Sequence, residues 1–301
     1  MTLLAPLETL FETRRGVALP LPRELARVYG RLRVPRTGTR AHVISNMVAT
    51  LDGVVSLSVE GHASGGDISG QSQHDRLVMG LLRAVADVIV VGAGTLRVVP
   101  DAIWTADHIA PDLADEFREL RRRCGVREPP LNVIVSAGGS LDLRWRVFAS
   151  GEVPTLIVTT AAGARRLRAR RGPKSVEIRA SGRGGGAVSA RAILAAVEQV
   201  RASRLILVEG GPRLLGAFFG ERVVDDQFLT LAPQLAGRDE ASPRPGLIKG
   251  RTFAPHDPRW GRLVDLRRGG SHVFLRYAFP SASTRLRSMP AVRHRPGHAS
   301  V

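Results

Sequence analysis

Residues 205–219, LILVEGGPRLLGAFF, decide how this chain is read. Four apolar residues, Leu205 to Val208, run into Glu209, two glycines and a proline, and a second apolar run follows at once. The first run reads as a short buried strand and the second as a helix, with Pro212 suited to the first helical position. A tight turn would account for Gly210 and Gly211. The alternative is that a ligand approaches the backbone there, where a side chain would be in the way.

Working outward, similar apolar, β-branched runs recur at 42–49, 87–92, 131–136, 155–160, 175–180 and 204–210. Helical patterns alternate with them at 72–86, 112–123, 161–170, 189–202 and 212–220. Such alternation predicts an α/β fold whose central, mostly parallel sheet carries helices on both faces. Within 72–86, Leu77, Leu81, Leu82 and Val85 share one face, leaving Gln73, Asp75 and Arg76 to look outward. The end differs: 225–233, 261–268 and 271–279 are strands with no helix between them, so the sheet is expected to finish antiparallel. Residues 1–40 read as an arm with a short helical piece near 22–32. The core follows over 41–280, and 281–301 as a basic, disordered tail. The loop 181–189, SGRGGGAVS, is flexible and glycine-rich.

The composition is that of a globular protein, and no apolar run approaches the roughly 18 residues a spanning helix needs. The start, MTLLAPLETLFETRR, carries acids where a signal peptide has a basic end and an unbroken apolar stretch. A cytoplasmic location without membrane contact is expected. One cysteine, Cys124, excludes an internal disulfide, and the eight histidines show no metal spacing. The net charge of +17 suggests nucleic acid, but residues 165–183 and 281–301 together carry +11 of it. Only two of the 44 basic residues are lysine, which points to coding bias, and no nucleic-acid partner is expected.

A second glycine turn also ends a strand. In VIVVGAGT (88–95), Gly92 and Gly94 are followed by Thr95. Neither turn is the dinucleotide fingerprint G-x-G-x-x-G, since Arg97 stands at the third glycine's place, and RVVPD (97–101) does not start a good helix. Each alone reads equally well as a structural turn. As a pair at strand carboxyl ends, they suit the two ends of a dinucleotide. ATLDG (49–53) reads either as an Asp-Gly turn or as a strand end that puts Asp52 in the cleft.

In order, NMVATLDGVVS (46–56), GGDISG (65–70), LLRAVADVIVVGAGT (81–95), LILVEGGPRLLGAFF and VVDDQFLTLAPQLAG (223–237) resemble the reductase domain of bacterial riboflavin biosynthesis. The resemblance implies the fold of dihydrofolate reductase, a homodimer, and NADPH-dependent reduction of a phosphoribosylamino pyrimidine. It places Ala49, Gly92, Gly94 and Thr95 against the nucleotide, and the turn and helix start Gly210, Gly211, Pro212, Arg213 and Leu214 on its pyrophosphate. Ser136 falls near the adenosine phosphate, with Thr159 a further candidate and Arg97 and 165–171 as charge partners. Ser69, Arg83 and Glu209 match substrate positions, with Glu209 and Asp52 as catalytic candidates. Related folds hold the Gly-Gly bond cis, which is the expectation for Gly210–Gly211.

One departure bears on the substrate. The family's acid pair and closing arginine, which hold the substrate's ribose phosphate, are replaced by RVVPDAIWTAD (97–107). The resemblance makes the pyrimidine the first candidate substrate, against which this departure counts, and a pterin or another carbonyl or imine compound the second. A non-enzymatic basic protein holding an acidic partner is the competing class.

Overall fold

The computed structural model describes residues 4–280 apart from 15, 36–39, 127, 171 and 182–185. The expected tail, 281–301, and part of the loop 181–189 lie outside the described residues. The strands are β1 (Glu8–Glu12), β2 (Val17–Ala18), β3 (Arg33–Val34), β4 (His42–Thr50), β5 (Val88–Gly92), β6 (Leu131–Val135), β7 (Thr155–Thr159), β8 (Val176–Ala180), β9 (Leu205–Val208), β10 (Asp226–Ala232), β11 (Arg262–Gly269) and β12 (His272–Ala278). The helices are α1 (Arg23–Tyr29), α2 (Gly65–Ser69), α3 (Gln73–Val85), α4 (Ala93–Val98), α5 (Ala106–Ile109), α6 (Ala114–Arg123), α7 (Arg146–Ala149), α8 (Ala161–Arg168), α9 (Ala190–Glu198) and α10 (Pro212–Gly220).

Ten strands form one sheet in the order β1-β11-β12-β10-β4-β9-β5-β6-β7-β8. From β10 to β8 every neighbouring pair is parallel. The β1, β11, β12 and β10 end is antiparallel, as the pattern of 225–279 predicts. Strand β5 shows why its sequence is apolar throughout. Ile89 and Val91 pack with Leu77, Leu81 and Leu82 of α3 and Phe117 of α6. Val88 and Val90 pack with Ile193 of α9 and Leu215 and Phe218 of α10 on the other face. A strand buried on both faces has no position for a polar residue.

The N-terminal residues are part of this body. β1 lies along β11 at the sheet edge, and Leu25, Val28 and Tyr29 of α1 enter the core. The buried Arg267 guanidinium fastens them, donating to Thr9 Oγ1 at 2.8 Å, to the Arg31 carbonyl at 3.0 Å and to Asp265. β1 was not legible as a strand, because ETLFE has acids at both ends and no clean alternation. One orientation within α3 is corrected: Asp75, expected outward, is only 4% exposed.

Candidate active site

The parallel strands present their carboxyl ends on one edge, and β9 returns between β4 and β5. Such a reversal of strand order opens a crevice beyond the strand ends. Ala49 and Thr50 of β4, Gly92 of β5 and Glu209 to Gly211 after β9 border it. Ala49 is buried, paired with Leu231 of β10.

Both glycine turns open helices. Gly92 is the N-cap of α4 and Gly211 the N-cap of α10, and neither start has a side-chain cap. By contrast, α2, α3, α5, α8 and α9 start under the hydroxyls of Ser64, Ser72, Thr105, Thr160 and Ser189. Helix α4 starts on the GAGT turn itself, without a capping residue to announce it, and ends at Val98, so that RVVPD (97–101) starts no helix, as expected. The two turns face each other. A Cβ on Gly92 would lie 3.9 Å from the Gly211 nitrogen, and one on Gly211 would lie 3.6 Å from Thr95 Oγ1. A Cβ on Gly94 would meet nothing within 4 Å.

The fold therefore does not require glycine at 94 or 211, where the backbone leaves room. Gly210 is different. Its Cβ would come within 2.2 Å of Leu214 Cδ2, so packing on Leu214 accounts for that glycine. The expected cis bond is not found: among the described residues the cis peptide is Ala254–Pro255, and Gly210–Gly211 is trans. Pro212 takes the first position of α10, Arg213 is exposed, and Leu214 is buried.

Beside the turns sits a buried ion pair. Arg83 Nε and NH2 lie 2.9 and 2.7 Å from Glu209 Oε2, with both side chains less than a tenth exposed. The Glu209 amide donates to the Val90 carbonyl at 3.0 Å, which fixes the residue between β9 and β5. Arg83 NH1 also donates to the Thr105 carbonyl at 3.3 Å. The departing segment thus has a local task here: Ile103 and Trp104 are buried, Asn132 brackets the Trp104 backbone, and Thr105 steadies Arg83. Glu209 Oε1 is buried and has no hydrogen-bond partner among the described residues. A buried, unpartnered carboxylate oxygen is costly unless a donor meets it. His108 stands near, its imidazole held below the usual range by burial and by the Arg83 and Arg146 charges.

Ser69 ends α2, buried, and its carbonyl oxygen lies 2.9 Å from His272 Nε2. Asp52 has another occupation. Its carboxylate accepts from the Thr50 hydroxyl and from the Ala236 and Gly237 amides, which ties the turn after β4 to the loop after β10. The Thr50 hydroxyl first, then these amides, hold it down at about 2, so it stays anionic and gives up no proton near neutral pH.

On the far side of the crevice, the loop 136–145 follows β6. Ser136 is buried at its start. Thr159 is fully enclosed, its hydroxyl donating to the Ser136 carbonyl at 2.6 Å, so its side chain shapes the loop and offers no ligand surface. Three arginines hold this loop by carbonyls: Arg166 at Gly138 (2.6 Å), Arg97 at Ser140 (3.3 Å) and Arg170 at Leu141 (3.0 Å). Arg97, Arg144, Trp145 and Arg170 line an open pocket of ≈ 510 Å³ beside it. Sequence reasoning missed Asp75, Thr105 and Trp145. Only Thr105 carried a local signal, as an N-cap.

A parallel α/β sheet with paired glycine turns and an acid–arginine pair at its carboxyl edge has the crevice in which open α/β sheets take small-molecule ligands. The chain belongs to the RibD C-terminal domain family, whose model matches residues 41–263. This is the reductase domain of riboflavin biosynthesis named above as a resemblance, and it places the chain among oxidoreductases. No curated protein matches the sequence. Among solved structures it is similar to the diaminohydroxyphosphoribosylaminopyrimidine deaminase/5-amino-6-(5-phosphoribosylamino)uracil reductase of Thermotoga maritima. That match has 18% identity and a TM-score of 0.57, and covers 80% of this chain and 57% of that one. It is also similar to a pyrimidine reductase-like protein of Corynebacterium diphtheriae, with 19% identity, a TM-score of 0.59 and coverage of 79% and 92%. The riboflavin biosynthesis reductase Rib7 of Saccharomyces shares 14% identity, with a TM-score of 0.52 and coverage of 82% and 93%. The chain thus spans little more than half of the Thermotoga protein. No helix among the described residues is long and apolar enough to cross a membrane.

Proposed function

We propose that the protein is an NADPH-dependent reductase of the riboflavin pyrimidine reductase type, acting on a flat heterocycle. One observation carries the reading: two glycine-opened helix starts face each other across the crevice, and neither Gly94 nor Gly211 is needed by the packing around it. Backbone N–H groups and the positive end of the nine-residue α10 suit the pyrophosphate there. Thr95 reaches the same space. Ser136, with Arg97 of α4 and Arg166 of α8 holding the loop that follows it, suits the phosphate of the adenosine ribose. When bound, the reduced nicotinamide supplies the hydride, and the chemistry is the cofactor's.

The protein's own work is then positioning and polarity. Arg83 holds Glu209 through Oε2 and leaves Oε1 free to accept an N–H or O–H of the substrate. Buried donors and acceptors fixed in advance orient the reacting carbon without reorganisation. Asp52 braces the crevice wall. The reading includes a reductase body over 41–280 and a homodimer, both carried by the resemblance.

Titration with NADPH and NADH tests this. A charge-assisted phosphate contact is worth about 1.5–3 kcal/mol, so NADPH should bind about ten- to a hundredfold tighter. Equal dissociation constants would remove the NADP assignment.

A further inference from the structure

The loop after β10 crosses the strand carboxyl ends, and it carries two arginines outside the cofactor turns and the Arg83–Glu209 pair. It leaves Ala232, passes the turn after β4 and reaches α10, where the Lys249 amide donates to the Pro212 carbonyl at 3.1 Å. On the way, the Leu51 amide donates to the Gln234 carbonyl at 2.8 Å and the Val55 amide to the Pro245 carbonyl at 3.0 Å. The Ala236 and Gly237 amides meet the Asp52 carboxylate. The loop is fastened to the crevice wall along its length.

Arg238 and Arg244 stand on this fixed stretch. Arg238 NH2 donates to the Asp52 carbonyl, and its guanidinium borders two glycines. A Cβ on Gly53 would come 3.8 Å from NH2, and one on Gly246 would come 3.9 Å from NH1. Arg244 NH1 donates to the Ala236 and Gly237 carbonyls, and its Nε is buried with no acceptor among the described residues. Both guanidiniums are thus held by carbonyls, which bring no charge to balance them. Asp52 sends its carboxylate to Thr50, Ala236 and Gly237 instead. Asp239 accepts from the Ser242 amide at 2.7 Å, and among the described residues neither it nor Glu240 pairs with either arginine. A guanidinium fixed in advance, with N–H groups to spare, suits a carboxylate or a phosphate. Beside them Leu51 and Leu235 are 62% and 75% exposed, apolar surface for a ring to cover.

The sheet order sets where an anion held there would lie. Glu209 follows β9, the Asp52 turn follows β4 and the arginine loop follows β10, neighbours in the order β10-β4-β9-β5. Strands about 4.8 Å apart put that loop about 10 Å from Glu209, on the side away from β5. RVVPDAIWTAD, where the family's phosphate-holding residues are replaced, follows β5 on the other side.

We propose that Arg238 and Arg244 hold an anionic group of the substrate, a carboxylate or phosphate about 10 Å from the ring edge that meets Glu209. The proposal rests on the reductase reading above and names the substrate class: a flat heterocycle whose charged tail lies on the β10 side. The charge has changed flanks relative to the riboflavin pyrimidine.

Fluorescence titration of the NADPH complex with three pterins tests this: 6-methylpterin, pterin-6-carboxylate and the phosphate ester of 6-hydroxymethylpterin. The pterin ring donors lie at the end opposite position 6, so a charge there can reach the loop while the ring meets Glu209. At least one charged pterin should bind about ten- to a hundredfold tighter than 6-methylpterin, and the better of the two identifies the tail. Arg238→Gln and Arg244→Gln should each lower that ratio by about tenfold and leave the 6-methylpterin and NADPH constants unchanged. Arg238→Lys should restore part of the preference, whereas a purely structural arginine would shift melting and all three pterins alike. Should Arg244→Gln not fold, Arg238→Gln carries the test alone. Equal affinity for charged and uncharged pterins, or a preference that survives the substitutions, overturns the proposal and leaves the reductase reading standing. So does failure of both charged pterins to bind a protein that holds NADPH. Failure of the wild type to hold NADPH refutes the reductase reading instead, and the tail site with it.

Discussion

Replacing Gly211 by valine separates the two meanings of the Gly-Gly turn. Gly211 has φ −64° and ψ 173°, extended backbone that valine adopts readily. The new Cβ would find Thr95 Oγ1 at 3.6 Å, an ordinary contact, so the folded protein has room for it. Changing a glycine N-cap to valine costs about 1 kcal/mol, which lowers Tm by about 2–4 °C in a protein of this size. The same side chain occupies the space assigned to the pyrophosphate. Losing one hydrogen bond to a charged group costs about 1.5–3 kcal/mol, so the NADPH dissociation constant should rise by at least about tenfold. The neighbouring glycine is the control. A Cβ at Gly210 meets Leu214 Cδ2 at 2.2 Å, so Gly210→Ala is an overpacking change of about 1–3 kcal/mol that shows mainly in melting. Thermal melting and nucleotide titration on both variants read the two effects apart. A Gly211→Val protein that melts early and binds NADPH normally would refute the reasoning and leave the stretch a turn.

Glu209→Gln should keep NADPH affinity and lower turnover by about a hundredfold or more, since the amide cannot place the same charge on the substrate; unchanged kcat would remove Glu209 from the chemistry. Asp52→Asn should destabilise the protein at neutral pH. Because the folded-state value is depressed to about 2, Asp52 contributes stability above its unfolded value of 3.8 and loses it as pH falls towards 2. Melting curves of variant and wild type should therefore converge in acid, and a constant offset would contradict the bracing role. The protein should not complement a strain lacking the riboflavin-pathway reductase at ordinary expression. With RVVPDAIWTAD at 97–107, a contact worth a few kcal/mol to the ribose phosphate is missing. Complementation would shift that role to Arg83.

The parallel core was legible because its strands are apolar on both faces, so that Val88 to Val91 reads as a strand before anything is known of its neighbours. The same holds for Leu205 to Val208, and its glycine–proline junction announced α10 correctly. What escaped depends on partners distant in sequence. β1 exists because β11 lies beside it and Arg267 pins the arm. α4 begins without a cap, so the usual start signal was missing. Asp75 has the spacing of an outward helix residue, yet it is buried, and no local pattern encodes that. Glu209 was picked out by its place before the glycines, but its pairing with Arg83 joins residues 126 positions apart, and no local pattern encodes that.

A crystal structure of the protein with NADPH tests the central claim most directly. The account predicts density for the nucleotide along the strand carboxyl ends, with its pyrophosphate against Gly211 and Thr95 and the adenosine phosphate at the loop held by Arg97 and Arg166. The nicotinamide should point to Glu209. A nucleotide bound elsewhere, or a crevice that stays empty at saturating NADPH, would contradict it.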